Sequence, residues 1–269
     1  MCRDPQLWAQ LVTTVDNFGF SGLPPSHPEL LDYLARRLVH THRWSLKPLI
    51  RELVLSRTYR LSSDFNESAY TIDPDNRLRW RMPRRRLEAE PLRDAMLMVS
   101  GLLETQRPDG SLVMQIGEGE VGRNIDTSVL EQPFHHRSVY LPIIRGIVPE
   151  QLRLFDFPEP SNVQGLRDSN TTPTQSLFLM NNDFVIHVAR SYAESLLSDP
   201  SLDSDHDRVR LAHQQCFAAT PSGPQIERDV RFVSEMLSRG AEDEAEAVQL
   251  AWTIYCQSLI ASAKFRFID

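Results

Sequence analysis

Apolar residues recur at helical spacing through most of the chain, and this pattern predicts a mainly α-helical fold. The clearest case is the stretch 73–103, where one side of a predicted helix carries Leu92, Met96, Val99 and Leu103. We expect that helix to begin near Glu88, because Pro91 fits only in a first turn, where its missing N–H has no partner to lose. The whole pattern predicts about eight helices in an irregular multi-helix domain with long loops.

Capping signals and apolar periodicity place the other helices. Ser26 and Glu29 have the spacing of a capping box before one helix, and Thr172 and Gln175 have it before another. The remaining apolar patterns predict helices near 149–155, 183–197, 205–218, 224–238 and 242–263.

Three stretches do not read as helix. Residues 62–76 are polar and predict a loop that ends in a turn, and residues 104–137 carry four glycines with little periodicity. Residues 138–144, SVYLPII, predict at most a small extended element, which Pro142 confines to an edge. We therefore expect a single helical domain over 1–269, with a soft division at 104–137. The abrupt start also suggests the C-terminal fragment of a longer protein.

Charge and cysteine content exclude several classes of protein. The formal net charge of −7 disfavours a general nucleic-acid binder, because neutralising phosphates requires a basic surface. Three cysteines without a CxxC pattern predict neither a disulfide framework nor a haem or zinc motif. Cys216 and Cys256 fall in apolar helical stretches and are interpreted as core residues, although a bridge between them stays open. No apolar run is long enough to span a membrane, and the first residues lack the pattern of a signal peptide.

A dense cluster of opposite charges is the main candidate site. Two interpretations compete: an internal ion network that ties a helix to its neighbours, which we favour, and a site that binds carboxylate, sulfate or phosphate groups through guanidinium forks. The cluster consists of Arg84, Arg85, Arg86, Glu88, Glu90, Arg93 and Asp94.

Further candidates are isolated polar residues near predicted turns. His135 and His136 are adjacent, so on an extended segment they point in opposite directions and do not predict a metal site. No catalytic residue is predicted, since the chain has no phosphate-binding glycine loop, no GxSxG and no HExxH. The other candidates for binding or bracing are His27, Arg137, Tyr140, Arg145 and Asp156.

Several segments together resemble one known family. In chain order they are residues 17–35, 44–60, 73–103, 137–145, 154–161, 171–185 and 256–269. Among them, WSLKPLIRELVLSRTYR and DPDNRLRWRMPRRRLEAEPLRDAMLMVSGLL are the most distinctive. The chain resembles the C-terminal domain of unknown function of planctomycete cytochrome c multidomain proteins, also called planctomycete-specific domain one. Pro91 departs from the family pattern, which has a helix-forming residue there.

The resemblance implies a setting rather than a reaction. Its members are usually exported or envelope-associated, which implies a periplasmic or envelope location. It implies upstream domains of the same polypeptide as partners, including a cytochrome c-like domain, so any haem lies outside this chain and no cofactor is expected within it. We favour a non-catalytic structural or interaction module. The alternative is binding or processing of anionic, sulfated glycans through the Arg/Glu cluster.

Overall fold

The computed structural model describes residues 11–12, 14–17, 19–111, 133–144, 147–239 and 243–268. Within these residues it contains eleven α-helices and one sheet of two antiparallel strands, so the predicted mainly α-helical fold is confirmed. Three of the helices, α3, α5 and α11, have six residues or fewer. The helices are α1 (Pro28–Arg36), α2 (Leu46–Val54), α3 (Glu67–Ile72), α4 (Ala89–Val99), α5 (Glu150–Leu154), α6 (Pro173–Asn181), α7 (Asp183–Ser198), α8 (Asp205–Phe217), α9 (Gly223–Leu237), α10 (Glu244–Ala261) and α11 (Ala263–Arg266).

The chain divides into two compact units. The first comprises residues 1–86, 164–166 and 267–269, and the second comprises residues 87–163 and 167–266. This division falls at Arg86 and Leu87, whereas most of the predicted division at 104–137 lies outside the described residues. The expectation of a single domain stays a prediction.

Several polar contacts join the elements of the first unit. Glu52 on α2 accepts hydrogen bonds from Arg37 (Nη2–Oε2 2.9 Å) and contacts His42 (Nε2–Oε2 2.8 Å), both of which follow α1. Asp73 accepts the backbone N–H groups of Arg77 and Leu78 and so closes the turn predicted after residue 72. Strands β1 (Arg85–Arg86) and β2 (Phe267–Ile268) pair antiparallel, with Arg86 opposite Phe267. None of the described hydrophobic residues in this unit is fully buried.

The second unit has a continuous hydrophobic core. Helix α10 packs against α6, α7, α8 and α9, and it contributes Trp252 and Cys256, which are almost completely buried. Helix α7 faces it with Val188 and Tyr192, which are fully buried. Helix α4 joins this core through Leu97 and packs against α5 and α7. The second unit therefore supplies the rigid framework on which its polar sites are built.

Most predicted helix boundaries agree with the structure. The helix expected from Glu88 begins at Ala89 with Glu88 as its N-cap. The capping box at Thr172 and Gln175 is formed in both directions. Helices α5, α7, α8, α9 and α10 begin and end within a few residues of the predicted limits.

Two local predictions are wrong, each because of a specific contact. Ser26 does not cap α1: the N-cap is His27, and the Ser26 hydroxyl contacts the His27 ring instead (Oγ–Nδ1 3.0 Å). The loop predicted at 62–76 contains α3, whose first turn is capped by the Asn66 side chain. The segment 138–144 agrees with the prediction of at most a small extended element. It begins with a 3-10 turn, Ser138–Tyr140, and ends with an isolated bridge between Ile144 and Ile147.

Candidate functional site

Helix α4 presents its acidic side chains on one face because its apolar residues occupy the other. Leu92, Met96 and Leu97 are buried against the core, which leaves Glu90 and Asp94 at a partly accessible surface. Pro91 lies at the third helical position, where no intrahelical acceptor is available for an N–H. The sequence therefore places two carboxylates one turn apart on the same helix face.

A single arginine pairs with the two glutamates at the start of α4. Arg167 donates two hydrogen bonds to Glu90 (Nη1–Oε2 2.6 Å and Nη2–Oε1 2.9 Å) and lies 2.9 Å from the Glu88 carboxylate. The hydrogen bonds that Arg167 donates to Glu90 raise the pKa of Arg167, because they favour its charged form. The guanidinium also covers the Phe157 ring, with its carbon 5.3 Å from the ring centroid. Two carboxylates thus share one guanidinium.

Asp94 makes different contacts, which hold the 3-10 turn Ser138–Tyr140 against α4. Its Oδ1 accepts the backbone N–H of Ser138 at 2.7 Å, and its Oδ2 lies 3.6 Å from Nε of Arg137. The Arg137 side chain is more than half exposed, so this second contact is a surface ion pair. Asp94 therefore fixes the backbone that lines the opposite side of the site.

Arg93 is buried on the core side of α4, and its two terminal guanidinium nitrogens donate to neutral oxygens. It donates to the carbonyl oxygens of Phe134 and His136 and to the hydroxyl of Ser138. Burial lowers the pKa of Arg93 to about 10, so the guanidinium is still protonated at neutral pH. Phe184 contributes a ring face 5.6 Å from the guanidinium carbon. Arg93 thus braces the segment 134–138 and is not exposed to a ligand.

These elements enclose an open cleft of about 870 Å³, which we call the α4 cleft. Its charged lining residues are three acids and one arginine, and the other side chains are mostly apolar. The lining comprises Glu88, Glu90, Pro91, Asp94, Ala95, Met98, Leu103, Thr105, Arg137, Ser138, Val139, Leu141, Ile143 and Phe157.

Comparison with known proteins then decides the family. A family model described as PSD1, a protein of unknown function (DUF1553), matches residues 8–233. The chain belongs to the PSD1 family. No curated protein and no solved structure matches the chain.

In this PSD1 member, the predicted charge cluster is distributed over both units. Glu88, Glu90 and Asp94 come together on the α4 cleft, and Arg93 lies behind them. Arg84, Arg85 and Arg86 belong to the first unit, where Arg84 is exposed and Arg86 is buried in strand β1. The ion network predicted across all seven residues stays a prediction.

The other predicted residues occupy separate places. Arg137 lines the α4 cleft, and Tyr140 is half-buried at the end of the 3-10 turn. Asp156 accepts hydrogen bonds from the backbone and side chain of Asn170 (2.9 and 3.3 Å), so it braces a loop. His27 is the N-cap of α1. Arg145 lies outside the described residues.

Two groups of polar residues in the structure were not predicted from the sequence. Arg167 is separated from Glu90 by 77 positions, and no local pattern links them. His213 and Asp229 are buried and bonded to each other, although their helices look like ordinary amphipathic helices in sequence. His135 and His136 make separate contacts, to the His187 ring and to Glu104 respectively.

The described residues contain neither a metal cluster nor a membrane span. Among those residues, no group of three or more His, Cys, Asp or Glu side chains is arranged to hold a metal ion. In the same part of the chain, no helix is long and apolar enough to cross a membrane.

Proposed function

We propose that this domain is a non-catalytic interaction module of a multidomain cell-envelope protein, and that the α4 cleft binds an apolar segment from another domain of the same polypeptide. The proposal rests on a difference between the charged and the apolar side chains of the cleft. Its charged groups already pair with one another inside the domain, while apolar side chains remain at its surface.

The paired charges argue against acid–base chemistry in this cleft. Both carboxylate oxygens of Glu90 are bonded to Arg167, and Asp94 holds the Ser138 N–H. A general acid or base needs a carboxyl group that can reach a substrate and exchange a proton with it. These contacts instead suit a scaffold that keeps the cleft walls in place.

The apolar lining supports binding to another protein segment. Met98 and Val139 are more than two-thirds exposed, and Ile143 is also exposed. Exposed apolar side chains that share one surface commonly mark interaction sites. Eight apolar residues line this cleft, which is large enough to receive several side chains.

The charge balance specifies the partner further. Glu88, Glu90 and Asp94 contribute three negative charges, whereas Arg137 and Arg167 contribute two positive charges, so the excess is one negative charge. A segment that carries apolar side chains with one basic residue complements this surface. By the family resemblance, the cytochrome c-like domain upstream is the first domain to test.

The experiment compares two exposed methionines of the second unit. Met98 lines the cleft and Met180 lies on α6 outside it, and their exposures are 67% and 62%. We expect Met98→Asp to abolish pull-down of the co-expressed cytochrome c-like domain, and Met180→Asp to leave it unchanged. Circular dichroism checks that both variants fold. Equal capture by both variants, or no capture by the wild-type chain, would contradict the proposal.

The alternative of sulfated glycan binding depends on the arginines of the first unit. In the second unit, the excess negative charge of the α4 cleft repels sulfate groups. Arg84 is exposed in the first unit, so glycan binding stays a prediction for that region. A rise in melting temperature with heparin that is lost in Arg84→Gln would support it.

A further inference from the structure

A second cavity lies between the C-terminal helices of the second unit, far along the chain from the α4 cleft. It has a volume of about 370 Å³, which is at the lower end of the range for small-ligand pockets, about 300–1,000 Å³. We call it the His213 cavity. Its lining residues come from α8, α9, α10 and α11 and from the short link before α11: His213, Phe217, Gln225, Arg228, Asp229, Phe232, Tyr255, Ser258, Leu259, Ser262 and Lys264.

The wall of this cavity contains a buried hydrogen-bonded cluster centred on Asp229. His213 lies 2.7 Å from Asp229 (Nε2–Oδ2), and both side chains are less than a tenth exposed. The Tyr255 hydroxyl donates to the same oxygen at 3.2 Å, and Arg228 donates to Oδ1 at 2.9 Å. Burial and the Asp229 charge raise the pKa of Tyr255, so its hydroxyl remains a donor. Both carboxylate oxygens of Asp229 therefore have hydrogen-bond partners.

The contacts of Asp229 orient His213 in a defined way. Nε2 faces the Asp229 carboxylate, and this contact fixes the orientation of the imidazole ring. The other ring nitrogen, Nδ1, has no hydrogen-bond partner among the described residues. The Phe217 ring packs edge-on against the imidazole at a centroid distance of 5.2 Å. The His213 imidazole is thus fixed by Asp229 and lies beside the Phe217 ring.

Lys264 supplies a positive charge to the lining of the cavity. Its ammonium lies 4.9 Å from the centroid of the Phe217 ring, and no acidic partner is recorded for it among the residues that the structure describes. The charges of Arg228 and Asp229 offset each other, and Lys264 adds a further positive charge to the lining. The amide nitrogen of Gln225 adds a donor, since its oxygen is the atom that accepts from Ser222.

We propose that the His213 cavity binds a small organic carboxylate with an aromatic or aliphatic body. The carboxylate pairs with Lys264, and the body packs on the apolar walls formed by Phe217, Phe232 and Leu259. The His213 ring, held by Asp229, forms part of the wall beside the ligand. This inference is independent of partner binding at the α4 cleft, because it uses different residues and a different class of ligand.

A purely structural brace would need the buried cluster but not the features around it. An internal His–Asp pair is satisfied by its own hydrogen bonds. It does not require an adjoining cavity, an aromatic wall or an ammonium group beside that wall. The combination of these features is what distinguishes a binding site here.

Phenylacetate is a suitable probe, with phenylacetamide as its neutral counterpart. We expect isothermal titration calorimetry on the full chain to give saturable binding of phenylacetate, with a Kd of about 1 mM or tighter, and no binding of the amide. Addition of phenylacetate should also shift the ring resonances of His213 in NMR spectra.

Lys264 and Lys47 are the two lysines of the chain, and both are exposed. Lys264→Gln should weaken phenylacetate binding by about tenfold, as expected for loss of one charged contact, whereas Lys47→Gln on α2 should leave it unchanged. Absence of saturable binding by the wild-type chain, equal binding of the amide, or an equal effect of both lysine variants would each overturn the proposal. Because both substitutions are at exposed positions, misfolding does not confuse the comparison.

Discussion

The α4 cleft and the His213 cavity use charged residues in opposite ways. In the cleft, carboxylates outnumber guanidiniums, and side chains such as Glu88 and Arg137 are about half exposed. In the cavity wall, the buried carboxylate of Asp229 contacts three side chains, and Lys264 adds an exposed positive charge beside the Phe217 ring. The comparison teaches that burial determines how much a polar contact contributes to stability, because solvent screens exposed charges and not buried ones.

Removal of the central buried carboxylate should have the largest effect. We expect Asp229→Ala to lower the free energy of unfolding by about 3–5 kcal/mol, because it leaves His213 and Tyr255 buried without their acceptor. Urea denaturation followed by circular dichroism measures this change. Asp205→Ala on α8 is the control, since its pair with Arg208 is only partly buried and its loss should cost at most about 1 kcal/mol. An equal loss of unfolding free energy in the two variants would contradict the inference that burial strengthens the contacts of Asp229.

The same test can be made behind the α4 cleft with two arginines. Arg93→Met should cost about 2–3 kcal/mol, because it leaves the carbonyl groups of Phe134 and His136 without their donor. Arg137→Met should change stability by less than about 0.5 kcal/mol, since its contact with Asp94 is long and exposed. Thermal and urea unfolding of both variants provide the measurement. A larger loss for Arg137 would show that exposed pairs carry more weight than we infer.

Alkaline pH should destabilise the core next to the His213 cavity. Burial raises the pKa of Cys216 to about 12, and it also raises the pKa values of Tyr192 and Cys256. Below about pH 9, the Cys216 thiol is protonated in both states and stability is retained. Above that pH, the unfolded state loses the proton first, so stability falls as pH rises. From Cys216 alone, we expect a loss of about 2 kcal/mol at pH 10.5.

Urea unfolding between pH 8 and pH 10.5 measures this alkaline slope. The variant Cys216→Ala should show a shallower decline, because one of the titrating groups is removed. A free energy of unfolding that stays constant over this range, or a slope identical in the variant, would contradict the burial argument.

The smallest expected effect is the difference in stability between variants of Glu88 and Glu90, the two glutamates that pair with Arg167. Glu90 makes two hydrogen bonds and is 22% exposed, whereas Glu88 makes one ion pair and is 45% exposed. We expect Glu90→Gln to cost about 1 kcal/mol and Glu88→Gln less than about 0.5 kcal/mol. Added salt should reduce the smaller effect further. Thermal unfolding at low and high salt checks the order, and a reversed order would show that Arg167 is held mainly by Glu88.

Local sequence patterns predicted the helices well and the connecting segments less well. Helix α6 follows from Thr172 and Gln175, because a capping box is built from residues only three positions apart. Helix α3 was missed because its six residues are too short for an apolar period to develop. The turn at Ser138 was interpreted as extended because its conformation depends on Asp94, which is distant in sequence.

The candidate site was predicted only in part for the same reason. Glu88, Glu90 and Asp94 were recognised because they are neighbours on one helix. Arg167 was missed because its partners lie in another segment, and the His213–Asp229 pair was missed because both residues fall within ordinary amphipathic patterns. A polar residue in such a helix reveals its role only when its buried partner is known.

By itself, the sequence determined the helical class, most helix boundaries and the membership of the family, because these depend on residues that are close along the chain. The tertiary structure decided which charges are paired, which are buried and which cavities they line. Such properties depend on distances between segments and on exclusion of water, and neither is encoded in local spacing.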